Sequence, residues 1–357
     1  MLDIETIKGQ VQQNCDISDA KHAGLFSVCG LALRLRDLYK WDHGLNPWVE
    51  EEAEKVLEWI GDRETLWDSL ADKPYERLHL QDATYDAFDT VAINRILGPH
   101  GLFYGAGFGR SLKPTFLLSS IIQEQIIGGY RVLKLGEEMA RDLFSTPAFV
   151  QDGCVVVRMQ AAGSFLWDSI LYVNKSGKAA LSAALKNHGI AHYSPQVLKD
   201  RLDHIAKIEA EVYVHHELGE LQENSFDQDI WREIIAAYPH TPIELLARTL
   251  KDILADTNPH GTFQFILKKR KLSSLAFYVA FMEGLTKKLF SVMTDAFEAF
   301  LETENWSVIE TAVAAGYDTA KNQADTMVRI FKAGRQKNDL QWAEKEITRR
   351  LLKPLGL

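Results

Sequence analysis

The sequence predicts a mainly α protein, a multi-helix bundle carrying a small two-stranded β insertion. Three observations lead there. Apolar residues recur at helical spacing, with capping residues at the expected ends, along most of the chain. Only two short runs read as strands, YRVLKLG from Tyr130 and CVVVRM from Cys154, each with glycine just before it. The composition, 46% hydrophobic and 25% charged over 357 residues, supplies an ordinary globular core and leaves no low-complexity tract to act as a linker.

Taken in order, the first helix is capped by Asp16 and runs through SDAKHAGLFSVCGLALRLRDLYKW, apolar nearly all round and therefore central and buried. A second begins near Pro47 and shows Val56, Leu57, Trp59 and Ile60 on one face. After a short helix at 85–97 comes GPHGLFYGAGFGRSLKP, the stretch densest in glycine, leading into a helix that opens at Pro114-Thr115. The two strands follow, with GEEMARDLF between them as a short helix. From Ala161 everything reads helical again. Thr241, Pro242 and Glu244 form a capping box, and SSLAFYVAFMEGLTKKLFSVMTDAFEAFLE reads as one long apolar helix. The implied organisation is an N-terminal helical region with a Gly-rich loop (1–128), a small α/β insertion and helix (129–193) and a C-terminal helical bundle (194–357).

The chain is organised around SPQVLKDRLDHIAKIEAEVYVHHELGELQE, residues 194–223. Ser194 and Pro195 suit an N-cap and first helical position, and the helix runs for roughly eight turns. Leu198, Leu202, Ile205 and Val212 share a stripe with Glu209, His216 and Glu220. Two carboxylates and an imidazole on a core-facing stripe need a reason. One is a metal: helical bundles hold ions with inward-pointing carboxylates and imidazoles, and this ligand chemistry suits Fe, Mn or Zn. His215 is an alternative ligand, with Tyr213 nearby. The bland reading is a buried histidine bonded to Glu220 one turn on, with the glutamates paired to Lys or Arg from neighbours. HHELGE is not the zincin H-E-x-x-H, and no second helix repeats the pattern. Glu244, Asp252 and Asp256 are the possible contributors from another helix, with Glu244 better explained by the capping box and Asp252 by an i,i+4 pair with Arg248 on the outer face.

Segments NCDISDAKHAGLFSVCGLALRLRDLYKW, YGAGFGRSLKPTF and VHHELGEL together resemble an uncharacterised family of bacterial proteins common in anaerobes. The resemblance implies a bacterial cytoplasmic setting and brings no activity, cofactor or catalytic residue with it.

Three further stretches carry candidate chemistry. Gly105, Gly107 and Gly109 alternate ahead of Arg110 and Lys113, a set that could bind phosphate or carboxylate, or could be an ordinary glycine loop. WSVIETAVAAGYDTAKNQADTMVRIFK could bend near Gly316 as a helix-turn-helix, although Asn322 stands where a core residue belongs. Cys29 reads as a core residue, and Cys15 has no base beside it. Three cysteines without C-x-x-C spacing exclude a disulfide scaffold, and the acidic, polar N-terminus is no signal peptide.

The net charge of −9 is uneven. From Lys321 onward nine Lys/Arg face four Asp/Glu, so that tail carries +5 and the rest −14. The acidic bulk speaks against a general nucleic-acid binder, and no apolar run is long enough to span a membrane. The leading expectation is a cytoplasmic helical protein with a divalent metal (Fe, Mn or Zn) on Glu209, His216, Glu220 and His215, its small-molecule or protein partner unspecified. The alternatives are a non-catalytic interaction protein using the basic tail and an anion binder at 101–115. Whether it is an enzyme stays open.

Overall fold

A computed structural model describes residues 2–224, 226 and 228–357, apart from the side chains of Arg110 and Gln228. In chain order the elements are α1 (Ile4–His22), α2 (Val28–Asp42), α3 (Ala53–Leu70), β1 (Leu78–Leu80), β2 (Ala83–Tyr85), α4 (Thr90–Leu97), β3 (Leu102–Phe108), β4 (Pro114–Ile127), β5 (Tyr130–Arg141), β6 (Ala148–Gln151) and β7 (Cys154–Arg158). Helices α5 (Met159–Leu171), α6 (Lys178–Asn187), α7 (Pro195–Lys199), α8 (Leu202–Gln222), α9 (Gln228–Ala237), α10 (Pro242–Thr257) and α11 (Thr262–Lys269) follow. The chain continues through α12 (Leu272–Phe281), α13 (Gly284–Leu289), α14 (Ser291–Thr303), α15 (Trp306–Gln336) and α16 (Leu340–Ile347). It divides into two units, Met1–Asp168 with Lys199–Lys207, and Ser169–Leu198 with Ile208–Leu357.

The first unit corrects the expected fold class. Its sheet has five strands in the order β3-β4-β5-β7-β6, not two. The two strands legible in the sequence, β5 and β7, do pair, in parallel from Val132↔Val155 to Leu135↔Arg158. What looked like a helix opening at Pro114 is strand β4, because proline is tolerated at the first residue of a strand as well as of a helix. GEEMARDLF is no helix: β5 continues to Arg141, its Glu, Met and Ala overridden by pairing with β4. Gly128 and Gly129 turn that hairpin at φ of +58° and +86°, values that need glycine. The sheet buries both faces. Leu102, Tyr104, Phe116 and Leu118 pack with Val11 and Cys15 of α1, while the alternate residues Phe103 and Leu117 join Leu133, Leu135 and Val156 in a separate core.

The buried central helix expected at 16–41 is two helices. Ser27 caps α2, accepting from the Gly30 amide, and Cys29 is exposed in its first turn, contrary to expectation. Cys15 is the buried one; burial raises its thiol, and its Sγ lies 3.4 Å from the Phe116 carbonyl oxygen.

In the second unit Thr241 caps α10 as expected, while Glu244 bonds one residue before the box's usual partner. Thr241 Oγ1 accepts from the Glu244 amide, and Glu244 reaches back to the His240 amide (2.8 Å). The long apolar helix after Ser273 is broken into α12, α13 and α14. The helix-turn-helix is absent: α15 is unbroken, and Gly316 lies against the Phe290 ring, where a Cβ would approach to 2.2 Å. No helix is long and apolar enough to cross a membrane among the described residues.

Candidate functional site

The organising helix forms as α7 and α8, interrupted at 200–201. The buried side of α8 comprises Leu202, Ile205, Ala206, Glu209, Ala210, Val214, Glu217 and Leu218, a helical stripe set by its own periodicity. His216 and Glu220 lie at its edge, 27% and 20% exposed, where they remain reachable. Glu209 and His216 are thus divided between two groups.

Glu209 is fully engaged. Its carboxylate accepts from Ser274 Oγ (2.6 Å) and Ser273 Oγ (2.9 Å) and meets His188 Nε2 at 3.0 Å. Burial alone would raise its pKa, but these hydrogen bonds hold it below the usual carboxylate range. His215 faces elsewhere, stacked on Phe265 with ring centroids 4.3 Å apart, and burial lowers its pKa. Burial raises the Tyr213 phenol, with Glu209 adding to the shift.

His216 and Glu220 meet α10 instead. The approach is made possible by Gly219, whose added Cβ would stand 2.1 Å from the Ala255 carbonyl oxygen. Asn258 Nδ2 donates to the Gly219 carbonyl (2.9 Å), fixing the crossing. Across it, His216 Nδ1 lies 2.9 Å from Asp256 Oδ1, and His216 Nε2 is 3.8 Å from Glu220 Oε1. His216, Glu220 and Asp252 each offer a ligand atom, all within 4.8 Å of one another. Asp256 is itself held by Thr262 Oγ1 (2.6 Å) and Tyr278 OH (3.0 Å). Glu220 pairs with Lys251, whose ammonium lies 4.8 Å from the Trp231 ring centroid.

The electrostatics are lopsided. Four carboxylates (Glu217, Glu220, Asp252, Asp256) face one imidazole and one ammonium. Burial opposes protonation of His216, yet Asp256, with Glu217 and Glu220, raises its pKa well above the usual value. Burial and neighbouring Glu220 push Glu217 up to about 7, against the pull of His216. Asp252 reaches solvent, but the protein packed around its carboxyl and the neighbouring Glu220 and Asp256 push it up to about 6. Such a cluster attracts a cation.

The sequence hides Asp252 behind a plausible i,i+4 partner, Arg248. The guanidinium instead turns back to Glu244, with Nε 2.9 Å from its Oε1. The signal that would have found the site is the matched one-turn spacing, His216 with Glu220 on α8 and Asp252 with Asp256 on α10.

The glycine segment is built differently from its expectation. Gly105 and Gly107 sit within β3, opposite Leu117 and Thr115, and a strand follows in place of a helix N-terminus. The Gly109 amide donates to the Lys113 carbonyl (2.8 Å). Lys113 is buried, its ammonium 3.0 Å from Asp19 and 3.6 Å from Asp142, so it does not present itself to an outside anion. The Arg110 side chain lies outside the described residues. In the basic tail, Arg349 and Arg350 both pair with Glu346, Arg335 pairs with Glu233, and the Lys337 ammonium sits 3.7 Å from the Trp342 ring centroid.

Residues 6–158 match the profile of the N-terminal domain of a family of unknown function, DUF6866, and residues 163–350 match that of its C-terminal domain. No curated protein and no solved structure matches the chain.

Proposed function

The chain belongs to the DUF6866 family, which has no described function, and we propose that it binds a divalent metal ion on His216, Glu220 and Asp252. One observation carries this reading. Three potential ligand atoms from two helices lie within 4.8 Å of one another, while Asp256 engages the remaining ring nitrogen of His216. A carboxylate on Nδ1 fixes the imidazole tautomer that leaves Nε2 free to coordinate, the support that metal-binding histidines commonly have. Ligands of a shared ion stand roughly 3–4 Å apart, so small side-chain movements would close the set. Two carboxylate oxygens and an imidazole suit Fe, Mn or Zn. Three protein ligands leave positions for water or substrate, as in catalytic rather than closed structural sites, and so fit metal-activated water or oxygen chemistry. Glu209 and His215, engaged elsewhere, are not part of the proposed set. The cytoplasmic, bacterial setting belongs to the same proposal; the three cysteines, all free thiols, accord with it.

The test is metal content and affinity. Protein purified without chelator or oxygen should carry close to one equivalent of Fe, Mn or Zn, and His216→Ala and Asp252→Asn should lose it. Lys251 holds positive charge against Glu220, where the ion would act, so Lys251→Met should bind metal more tightly than wild type. If wild type and Lys251→Met both fail to take up metal, the reading is wrong and the cluster is a network of ion pairs.

A further inference from the structure

The first unit holds a cavity of about 330 Å³, within the range of pockets that take small ligands. None of the acidic-cluster residues lines it. Its wall includes Arg141, only 5% exposed. A guanidinium so deeply buried calls for a full partner, and Arg141 has only shared or distant ones, among them the Trp41 ring, whose centroid lies 5.9 Å from Cζ. The nearest carboxylate, Glu138, is taken by Arg158 through two bonds, Nε at 2.7 Å and Nη2 at 2.6 Å. That leaves Arg141 Nη1 3.8 Å from Glu138 and its Nε in a 3.4 Å contact with the Asp142 carbonyl. One carboxylate therefore serves two buried guanidinium groups.

Among the other charges at the cavity, Asp168 and Asp37 share one guanidinium, and the Asp37 carboxylate also favours the charge on Arg141. Arg36 lies 2.9 Å from Asp168 and 3.5 Å from Asp37. Lys40 donates to the Pro47 carbonyl (2.6 Å) and meets Glu50 at 3.3 Å. Asp203 and Lys207, one of each sign, are exposed and cancel. The wall mixes polar residues such as Asn46, Gln160 and Ser164 with an aromatic part held in place. Trp41 is anchored by its indole N–H to the Glu138 carbonyl (2.8 Å), and Trp48 sets its ring against Trp167 with centroids 5.8 Å apart. Leu45 and Met159 add to it, and a Cβ on Gly163 would meet nothing within 4 Å.

We infer that this cavity binds a small organic monocarboxylate, its carboxylate on the Arg141 guanidinium and its apolar body beside Trp41 and Trp48. The fork of a guanidinium matches a carboxylate. A phosphate dianion would bring more charge than one incompletely paired cation offsets, and a neutral ligand would leave Arg141 as it is.

The experiment measures the melting temperature and tryptophan fluorescence of the full chain. The probes are benzoate, phenylacetate, hexanoate and indole-3-acetate, each beside its own primary amide, with inorganic phosphate as a further probe. At least one carboxylate should raise the melting temperature and alter the fluorescence in a saturable way, its amide binding about tenfold more weakly or worse. Arg141→Met should abolish the response without lowering the melting temperature of the ligand-free protein, since Glu138 keeps Arg158. Gly163→Leu, which fills the cavity from a helix position with open space, should abolish it as well. Should Arg141→Met fail to fold, Gly163→Leu and the acid–amide comparison decide alone. No response to any carboxylate, equal responses to acid and amide, a response only to phosphate, or binding that survives in Gly163→Leu would each overturn the assignment.

Discussion

Asp256 has the proposed task of aiming His216 without binding the ion itself. Asp256→Asn keeps the shape but weakens the hydrogen-bond acceptor at Nδ1, so metal affinity should fall by about 10- to 100-fold. A competition titration against a chromophoric chelator reads this directly, and an unchanged affinity would remove Asp256 from the site. In the first unit, Asp19 offers a different residue-scale test. Burial pushes its carboxyl from the ordinary 3.8 up to about 7, despite Lys113 beside it. A raised carboxyl pKa means that the folded state holds a proton the unfolded chain releases. Its contribution therefore lowers stability as pH rises from about 4 to about 7, and is constant above that. Asp19→Asn should flatten this part of the profile, so that urea midpoints at pH 5 and pH 8 differ less than in wild type. An undiminished difference would show that another group carries the slope.

Among the elements, α8 shows what the sequence makes legible. Its periodicity and the presence of a carboxylate on its buried side can be read directly, because they depend on residues close in the chain, whereas the Ser194 cap opens α7 and the break at 200–201 is not legible. The partner faces cannot. Whether Glu209 meets a metal or two serine hydroxyls is decided by α12, and the Arg248 guanidinium chooses Glu244 over Asp252 only in three dimensions. Strand β4 was hidden for a related reason: PTFLLSSIIQEQII is apolar enough for a buried helix or strand, and only its pairing with β3 and β5 decides between them. Gly219, by contrast, was readable as a small residue beside His216 but not as a contact point. Gly219→Ala should force α8 away from α10, costing about 1–3 kcal/mol by the usual penalty for overpacking. Metal binding should fall with it, because the ligands stand on both helices. Chemical denaturation beside a metal titration would check both. A variant of full stability and full affinity would show that the close approach does not position the site.

At the scale of the whole molecule, the family's two domains and the two compact units do not divide the chain alike. The family boundary falls near 159–162, within α5, whereas the first unit also includes Lys199–Lys207. In that segment Leu202 is 1% exposed and Ala206 6%. A fragment ending at residue 162 should therefore be markedly less stable than one extended to residue 207, by at least the roughly 1.5–3 kcal/mol that burying one leucine contributes. Thermal unfolding followed by circular dichroism compares them, and equal melting temperatures would show the segment to be dispensable.

The same interleaving sets an order on synthesis. A ribosome delivers the chain from its N-terminus at about 5–20 residues per second. Residues 169–198, which belong to the second unit, emerge before the last piece of the first. The first unit is then still one stretch short, while thirty residues destined for the other unit are already outside the exit tunnel. Birth of this protein is accordingly an overlapping process, in which neither half can be finished before the other has begun.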